Sequence, residues 1–444
     1  MLRIVCPDNF QIEREYILGV IFRQFLGIDY IVEFYNTDKW LIYYESSLIV
    51  VLNDGFFSQF YKGSNKWLSK KSLPAVISHF VTTEEGDNIP VIFGVPEISQ
   101  FKTHVEIGVD IFGTSFFLLT LYEEAVNTEL VDKHIRFRGS NSFLKKNNIH
   151  QRPIVNEYVE YLWRYIKHHI PRLTKKTHSY KVNITHDVDR PKLWRKGIKS
   201  LVEEVVWSIK KGNFREAIDM GFRYLQNNDP FDTFSYLMDK SEKLGLKSTF
   251  NFMSGGDSKF DNRYKINDPY ILKIMEEIKL RGHLIGFHPS YNSYNNFNQW
   301  QDEYYALADS CKTEVSFSRQ HYLRFDPLNT ISNWNRSKIK TDSTLGFHDI
   351  TGFRCGTCYE YNLYDLGKRE QTNITESPLI IHDGVMFAYE ALNKTQVLNM
   401  VSEYTNTIKK YNGIMTILWH NSSFYGGIWN KSSEIYEDIL DIIK

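Results

Sequence analysis

KVNITHDVDR, residues 181–190, changes character within ten residues. Val182, Ile184 and the β-branched Thr185 read as a short buried strand, which Pro191 stops soon afterwards. Asp187 and Asp189 then stand two apart, with His186 beside them, where strand gives way to loop. Alternate residues of an extended chain point the same way, so both carboxylates can face one pocket. Two like charges that close repel unless a proton or a cation sits between them. Asp-x-Asp ahead of Pro is also ordinary turn chemistry, and the remainder of the chain has to decide between the two.

Downstream, a long charged segment over residues 193–228 reads as a helical insertion. Strand and helix patterns alternate after it. Helices are expected over 231–245, 268–281, 299–311, 328–339 and 393–411, with a closing helix from about Ser432. Strands are expected over 248–253, 283–287, 314–318, 349–354, 378–382 and 413–419. Such alternation means parallel strands covered by helices, hence a barrel or a doubly wound sheet. In both, chemistry collects at the carboxyl ends of the strands.

Four strand ends carry the polar residues that metal-assisted hydrolysis needs. They are Asp187-Val-Asp189, the run Gly282-His283-Leu-Ile-Gly286-Phe-His288-Pro-Ser-Tyr-Asn292, then Ser318-Arg319-Gln-His321-Tyr322-Leu-Arg324, and Leu418-Trp-His420-Asn421. Amide hydrolysis requires an activated water, a Lewis acid on the carbonyl and a proton for the departing amine. Taken singly, His288 and His420 read as buried structural histidines. Their joint occurrence at successive strand ends favours a site. His283, His348 and His382 are read as structural.

These motifs, in this order over residues 180–444, resemble the polysaccharide deacetylase family (carbohydrate esterase family 4). The resemblance implies an α/β fold, a distorted (β/α) barrel, and a divalent metal, zinc first. It implies Asp187 as catalytic base, Arg319 as its partner and His420 as general acid, with Asp189 and His288 as metal ligands. Arg354 is the alternative partner for the base. Asp342-Ser343-Thr344 is similar to the family's Asp-Ser-Ser element. Where the family carries a second ligand histidine this chain has Asn292, whose carbonyl is a weaker zinc ligand and favours harder metals. The implied activity is N-deacetylation of an acetamido sugar in surface-polysaccharide metabolism. A non-sugar amide as substrate, or a carbohydrate-binding protein that has lost catalysis, are the alternatives, the latter prompted by Asn292.

Upstream, residues 1–130 hold short β-rich runs (LRIVC, WLIYY, SLIVVLN, IPVIFGV) and a helical FFLLTLYEEA, and read as a smaller α/β domain. They are similar to an uncharacterised domain often placed before such deacetylases. Residues 131–180 are basic and helical, and read as a solvated connector. Every candidate catalytic residue lies beyond Thr185, so the chemistry is expected of residues 181–444.

With 53 basic and 53 acidic residues in 444, the formal charge is zero, which argues against nucleic acid or broad electrostatic membrane binding. Aromatic residues make up 15%, enough for packing and for sugar-facing platforms. Cys355-Gly-Thr-Cys358 has redox or zinc spacing, but no second pair lies near it, so all four cysteines are read as reduced and structural. The start MLRIVCPDNF lacks a basic segment followed by a long apolar run, and Ile107–Tyr122 is too interrupted to span a bilayer. A cytoplasmic protein without a membrane span is expected.

Overall fold

The computed structural model describes residues 1–63, 65–77, 79–83, 86–261, 264–430 and 432–444. It contains two principal sheets. The first has six strands in the order Tyr30–Tyr35, Leu2–Pro7, Lys39–Tyr44, Ser47–Asn53, Val105–Val109, Gly94–Gln100. Its helix Ile111–Leu119 is buried on every side, as its unbroken apolar run requires. Asp110 caps that helix by accepting from Gly113 N at 2.8 Å.

The helix Ile154–His169, expected to be a solvated connector, instead packs on this first sheet and on Ile111–Leu119. Ile154, Val155, Tyr158, Val159, Leu162 and Ile166 are all buried, a spacing that lines one helix face. The first packing unit therefore runs to about residue 170.

The second sheet has nine strands in the order Tyr361–Asp365, Glu370–Glu376, Thr341–Asp342, Phe317–Ser318, Leu284–Phe287, Ser248–Phe252, Lys181–Val188, Ile414–Leu418, Leu379–His382. All its ladders are parallel except the first. Helices Pro269–Leu280, Phe297–Cys311, Lys394–Lys410 and Ser432–Ile443 accompany it, and two start on strong caps. Asp268 accepts from Tyr270 N with Pro269 at the first helical position, and Asn393 with Gln396 forms a capping box.

The α/β class holds, and the second sheet is an open one: among the described residues no ladder joins Tyr361–Asp365 to Leu379–His382. One expectation needs correction. The strand expected at 349–354 is buried loop, and the strands stand at Thr341–Asp342 and Tyr361–Asp365 instead. The insertion forms two helices, Ile198–Lys210 and Phe214–Leu225, joined by three residues. The four cysteines are free and buried. No helix among the described residues is long and apolar enough to cross a membrane.

The two sheets share one hydrophobic core. Across the join, Tyr16 packs tilted against Tyr364 with ring centroids 4.7 Å apart, and Glu124 binds Arg354 through both carboxylate oxygens at 2.9 and 2.6 Å.

Candidate active site

Lys181–Val188 lies third from one edge of the second sheet, between Ser248–Phe252 and Ile414–Leu418, and delivers Thr185 and Asp187 to one face. Asp187 is buried, and one of its two carboxylate oxygens is engaged. Its Oδ1 accepts from Asn251 Nδ2 at 2.7 Å and from Arg319 Nη1 at 3.2 Å. Asn251 reaches it because position 286 is glycine: a Cβ there would stand 2.0 Å from the Asn251 amide oxygen. Arg319 is itself fixed by Thr185 Oγ1 at 2.6 Å, Ser343 Oγ at 2.7 Å and Ser343 O at 2.9 Å. Burial opposes the ionised form of Asp187, but the neighbouring His288, Arg319 and His420 outweigh it and lower the pKa. Arg319, not Arg354, is thus the partner of this carboxylate. Arg354 is spent on Glu124 at the join between the sheets.

Beyond Val188, Asp189 turns its half-buried carboxylate toward three imidazoles. Its Oδ1 is 3.3 Å from His288 Nε2, and its Oδ2 is 3.7 Å from both His321 Nε2 and His420 Nε2. Asp189, His288 and His321 each offer one donor atom, all within 4.8 Å of one another. Donor atoms 2.0–2.1 Å from a tetrahedral zinc would stand about 3.4 Å apart. His288 Nδ1 bonds the Arg319 carbonyl at 2.6 Å, which leaves Nε2 with its lone pair directed inward. That Nε2 and Asp189 Oδ1 are both buried and neither has a hydrogen-bond partner. Behind His321, Asp261 Oδ1 lies 3.5 Å from Nδ1, the position of a carboxylate that orients a ligand histidine. The donor set therefore fits a divalent cation.

Asn292 is not part of this group. It is exposed, and its amide oxygen faces Arg324 Nη1 at 3.4 Å. His321 stands where the second histidine was sought. The signal was present in the strand-end run Arg319-Gln-His321-Tyr322, which carries a histidine two residues after Arg319.

His420 ends the strand Ile414–Leu418. Its Nδ1 sits 2.9 and 3.1 Å from the Asp383 carboxylate oxygens, and its backbone N–H donates to Asp383 Oδ2 at 2.8 Å. Burial disfavours an imidazolium here, but Asp383 above all, then Asp189 and Asp187, raise the pKa to about 10. For His321 burial is likewise overcome by Asp189 and Asp261, to about 9. His382, by contrast, is pushed down to about 4 by burial. His382, Asp383 and His420 form a second cluster of donor atoms, but its carboxylate is already committed to His420. Asp383, Asp261 and Asn251 were not singled out from sequence. Asp383 directly follows the strand Leu379–His382, so the strand-end rule would have found it.

Residues 131–138, upstream of the second sheet, also reach the site. Arg136 Nη1 donates to Tyr322 O at 3.1 Å, and the His134 carbonyl accepts from Arg324 Nε at 2.9 Å.

A family of unknown function (DUF7033) matches residues 2–171. No curated protein matches the chain. Among solved structures, the chain is similar to a protein described as a polysaccharide deacetylase from Mycobacterium smegmatis (14% identity, 60% of this chain, 84% of that one, TM-score 0.38). It is also similar to the polysaccharide deacetylase Bc1974 from Bacillus cereus (12%, 59% and 86%, TM-score 0.30). A third is a mutant of a CE4 family pseudoenzyme with restored enzymatic activity (9%, 60% and 62%, TM-score 0.30).

Proposed function

We propose that the protein is a metal-dependent hydrolase that removes the acetyl group from an acetamido sugar, in an intermediate of surface-polysaccharide assembly. One observation carries the reading: Asp187 with Arg319, the group Asp189–His288–His321, and His420 with Asp383 converge at neighbouring strand ends. When bound, a divalent cation held by Asp189, His288 and His321, zinc by the character of the set, supplies Lewis acidity and an acidified water. Asp187, kept ionised by Arg319, is the group that takes a proton from the attacking water. Arg319 also fixes its direction, since four hydrogen bonds hold the guanidinium. His420 starts protonated on Nε2, with Asp383 holding Nδ1, and passes that proton to the departing amine nitrogen. A cation among these carboxylates opposes the rise in the His420 pKa and brings it toward working pH.

The reading as a catalytically lost carbohydrate binder rested on Asn292. His321, beside Asp189 and His288, offers a two-histidine, one-carboxylate set without Asn292 and so supports the catalytic reading. Acetate release from a panel of acetylated sugars, with metal content determined on the same protein, tests the proposal. Stoichiometric metal without acetate release from any of them would defeat it.

A further inference from the structure

The helical hairpin of residues 198–225, inserted immediately after Asp189 and Arg190, shows the reverse of a solvated surface. Ile198, Val202 and Val206 form one exposed stripe, and Phe214, Ile218 and Phe222 another, each at a spacing of four. Phe222 is 63% exposed, Trp207 54% and Leu225 81%. Single exposed apolar residues need no explanation, but contiguous large ones mark an interaction surface.

Each helix packs by a face distinct from its stripe: Leu201 and Val205 meet Met220 and Tyr224 in a small core with Leu193, Trp194 and Phe231. Val202 and Val206 follow Leu201 and Val205 by one residue, and Ile218 and Phe222 precede Met220 and Tyr224 by two. At about 100° per residue both stripes are turned away from the contact between the helices and stay exposed.

Charge selects the occupant. Residues 192–225 carry eight basic and four acidic side chains in a chain whose net charge is zero. The neutrality of the whole chain therefore conceals a local excess of four positive charges. Arg195, Lys196, Lys199, Lys210, Lys211 and Arg215 are exposed, whereas Glu204 is held by Arg190 at 2.6 Å and Asp219 by Arg223 at 2.7 Å. Docking two such hairpins together would set like charges against each other. A helix pair with large apolar side chains flanked by lysine and arginine instead matches the headgroup boundary of an anionic bilayer.

We propose that this hairpin seats the protein on the surface of an anionic lipid bilayer. The hairpin is tied to the segment after His420, since Gly427 N donates to Glu216 Oε2 at 3.2 Å, and Ile428 beside it is 55% exposed. Between the two lies a cleft of about 660 Å³ lined by Arg190, Glu204, Trp207 and Trp429. Seating would bring this cleft to the lipid surface. The inference stands apart from the proposed chemistry, because no catalytic residue belongs to the hairpin.

Co-sedimentation of the full chain with phosphatidylglycerol-containing vesicles, and with purely phosphatidylcholine vesicles, tests it. Binding to the anionic vesicles is expected, weaker by about tenfold or more at high salt or in Lys196→Glu/Lys199→Glu. Ile218→Asp/Phe222→Asp should abolish it while the circular dichroism melt stays that of the wild type. The lysine variant, confined to exposed polar positions, keeps the test valid if the apolar variant misfolds. Absence of binding to anionic vesicles would overturn the proposal, as would binding that neither variant weakens. A dimer in light scattering that both variants dissociate, without vesicle binding, would assign the surface to self-association instead.

Discussion

His321 Nε2 lies 3.7 Å from Asp189 Oδ2, opposite the 3.3 Å approach of His288 Nε2 to Oδ1 of the same carboxylate. Two imidazoles thus face one carboxylate from different strand ends, and the second comes from the turn after Phe317–Ser318, not from the segment containing Asn292.

His321→Ala should therefore lower metal affinity by at least about 100-fold, more than is typical for residues that only support a ligand. Asn292→His should leave it unchanged, because residue 292 faces solvent and Arg324. Competition titration of zinc against a chelator measures both. Tighter zinc binding in Asn292→His with no loss in His321→Ala would reverse the assignment.

A ligand histidine must shed its proton before it binds metal. His321 has its pKa raised to about 9 by Asp189 and Asp261 against the effect of burial. Protonation competes below that value, so zinc affinity should climb with pH up to about 9 and level off above. Asp261→Asn removes one raising charge, so the plateau should begin at lower pH. Isothermal titration from pH 6 to 10 would show it. An identical profile in the variant would separate Asp261 from His321.

Asp383→Asn should cut turnover by about 100-fold or more, within the range that a positioned acid contributes. It should also move the alkaline limb of kcat to lower pH. Asp383 raises the pKa of His420, so removing its charge lets the imidazole lose its proton earlier as pH rises. Metal content should not change. A variant with reduced turnover but an unshifted limb would leave Asp383 a packing role only.

Much of this was legible because it depends on local pattern. The Asp187–Asp189 spacing, the alternation of strands with helices, and the histidines at strand ends all follow from residues close in sequence. What was missed is long-range. Helix Ile154–His169 is amphipathic, and sequence says that one face is apolar but not which partner covers it. Glu370–Glu376 is too polar to read as a strand, yet it pairs next to Thr341–Asp342 with Tyr361–Asp365 at the sheet edge. The choice between Arg319 and Arg354 turned on Glu124, some 230 residues before Arg354. Zero net charge, read over the whole chain, hid the basic hairpin.

Glu124→Ala should destabilise the protein by about 3–5 kcal/mol, the usual consequence of leaving one member of a buried ion pair unpartnered. Both side chains are only 5% exposed, so water does not replace the lost carboxylate. The urea midpoint should fall, and folded protein should keep its metal, since Arg354 does not touch Asp187. An unchanged midpoint would show that the join between the two sheets does not rely on this pair.

The turn that carries His321 offers the sharpest test of how the chain before residue 180 serves the site. Tyr322 and Leu323 adopt φ of 62° and 53°, left-handed values that cost a non-glycine residue about 1–2 kcal/mol each. Such a turn persists only where its surroundings hold it. Arg136 does so from upstream: it donates to Tyr322 O at 3.1 Å, is anchored by Asp132 at 2.7 Å, and reaches the Tyr389 hydroxyl at 3.0 Å. Arg136→Met keeps much of the side-chain bulk and removes all three polar links. Zinc affinity should then fall by about 10–100-fold although Arg136 touches no candidate ligand, as expected of a residue that positions one. His288→Ala, in the same titration, sets the scale for direct ligand loss. Deleting residues 1–138 should weaken zinc binding at least as much. If Arg136→Met binds zinc as the wild type does, the turn holds itself, and residues 181–444 carry the metal site unaided.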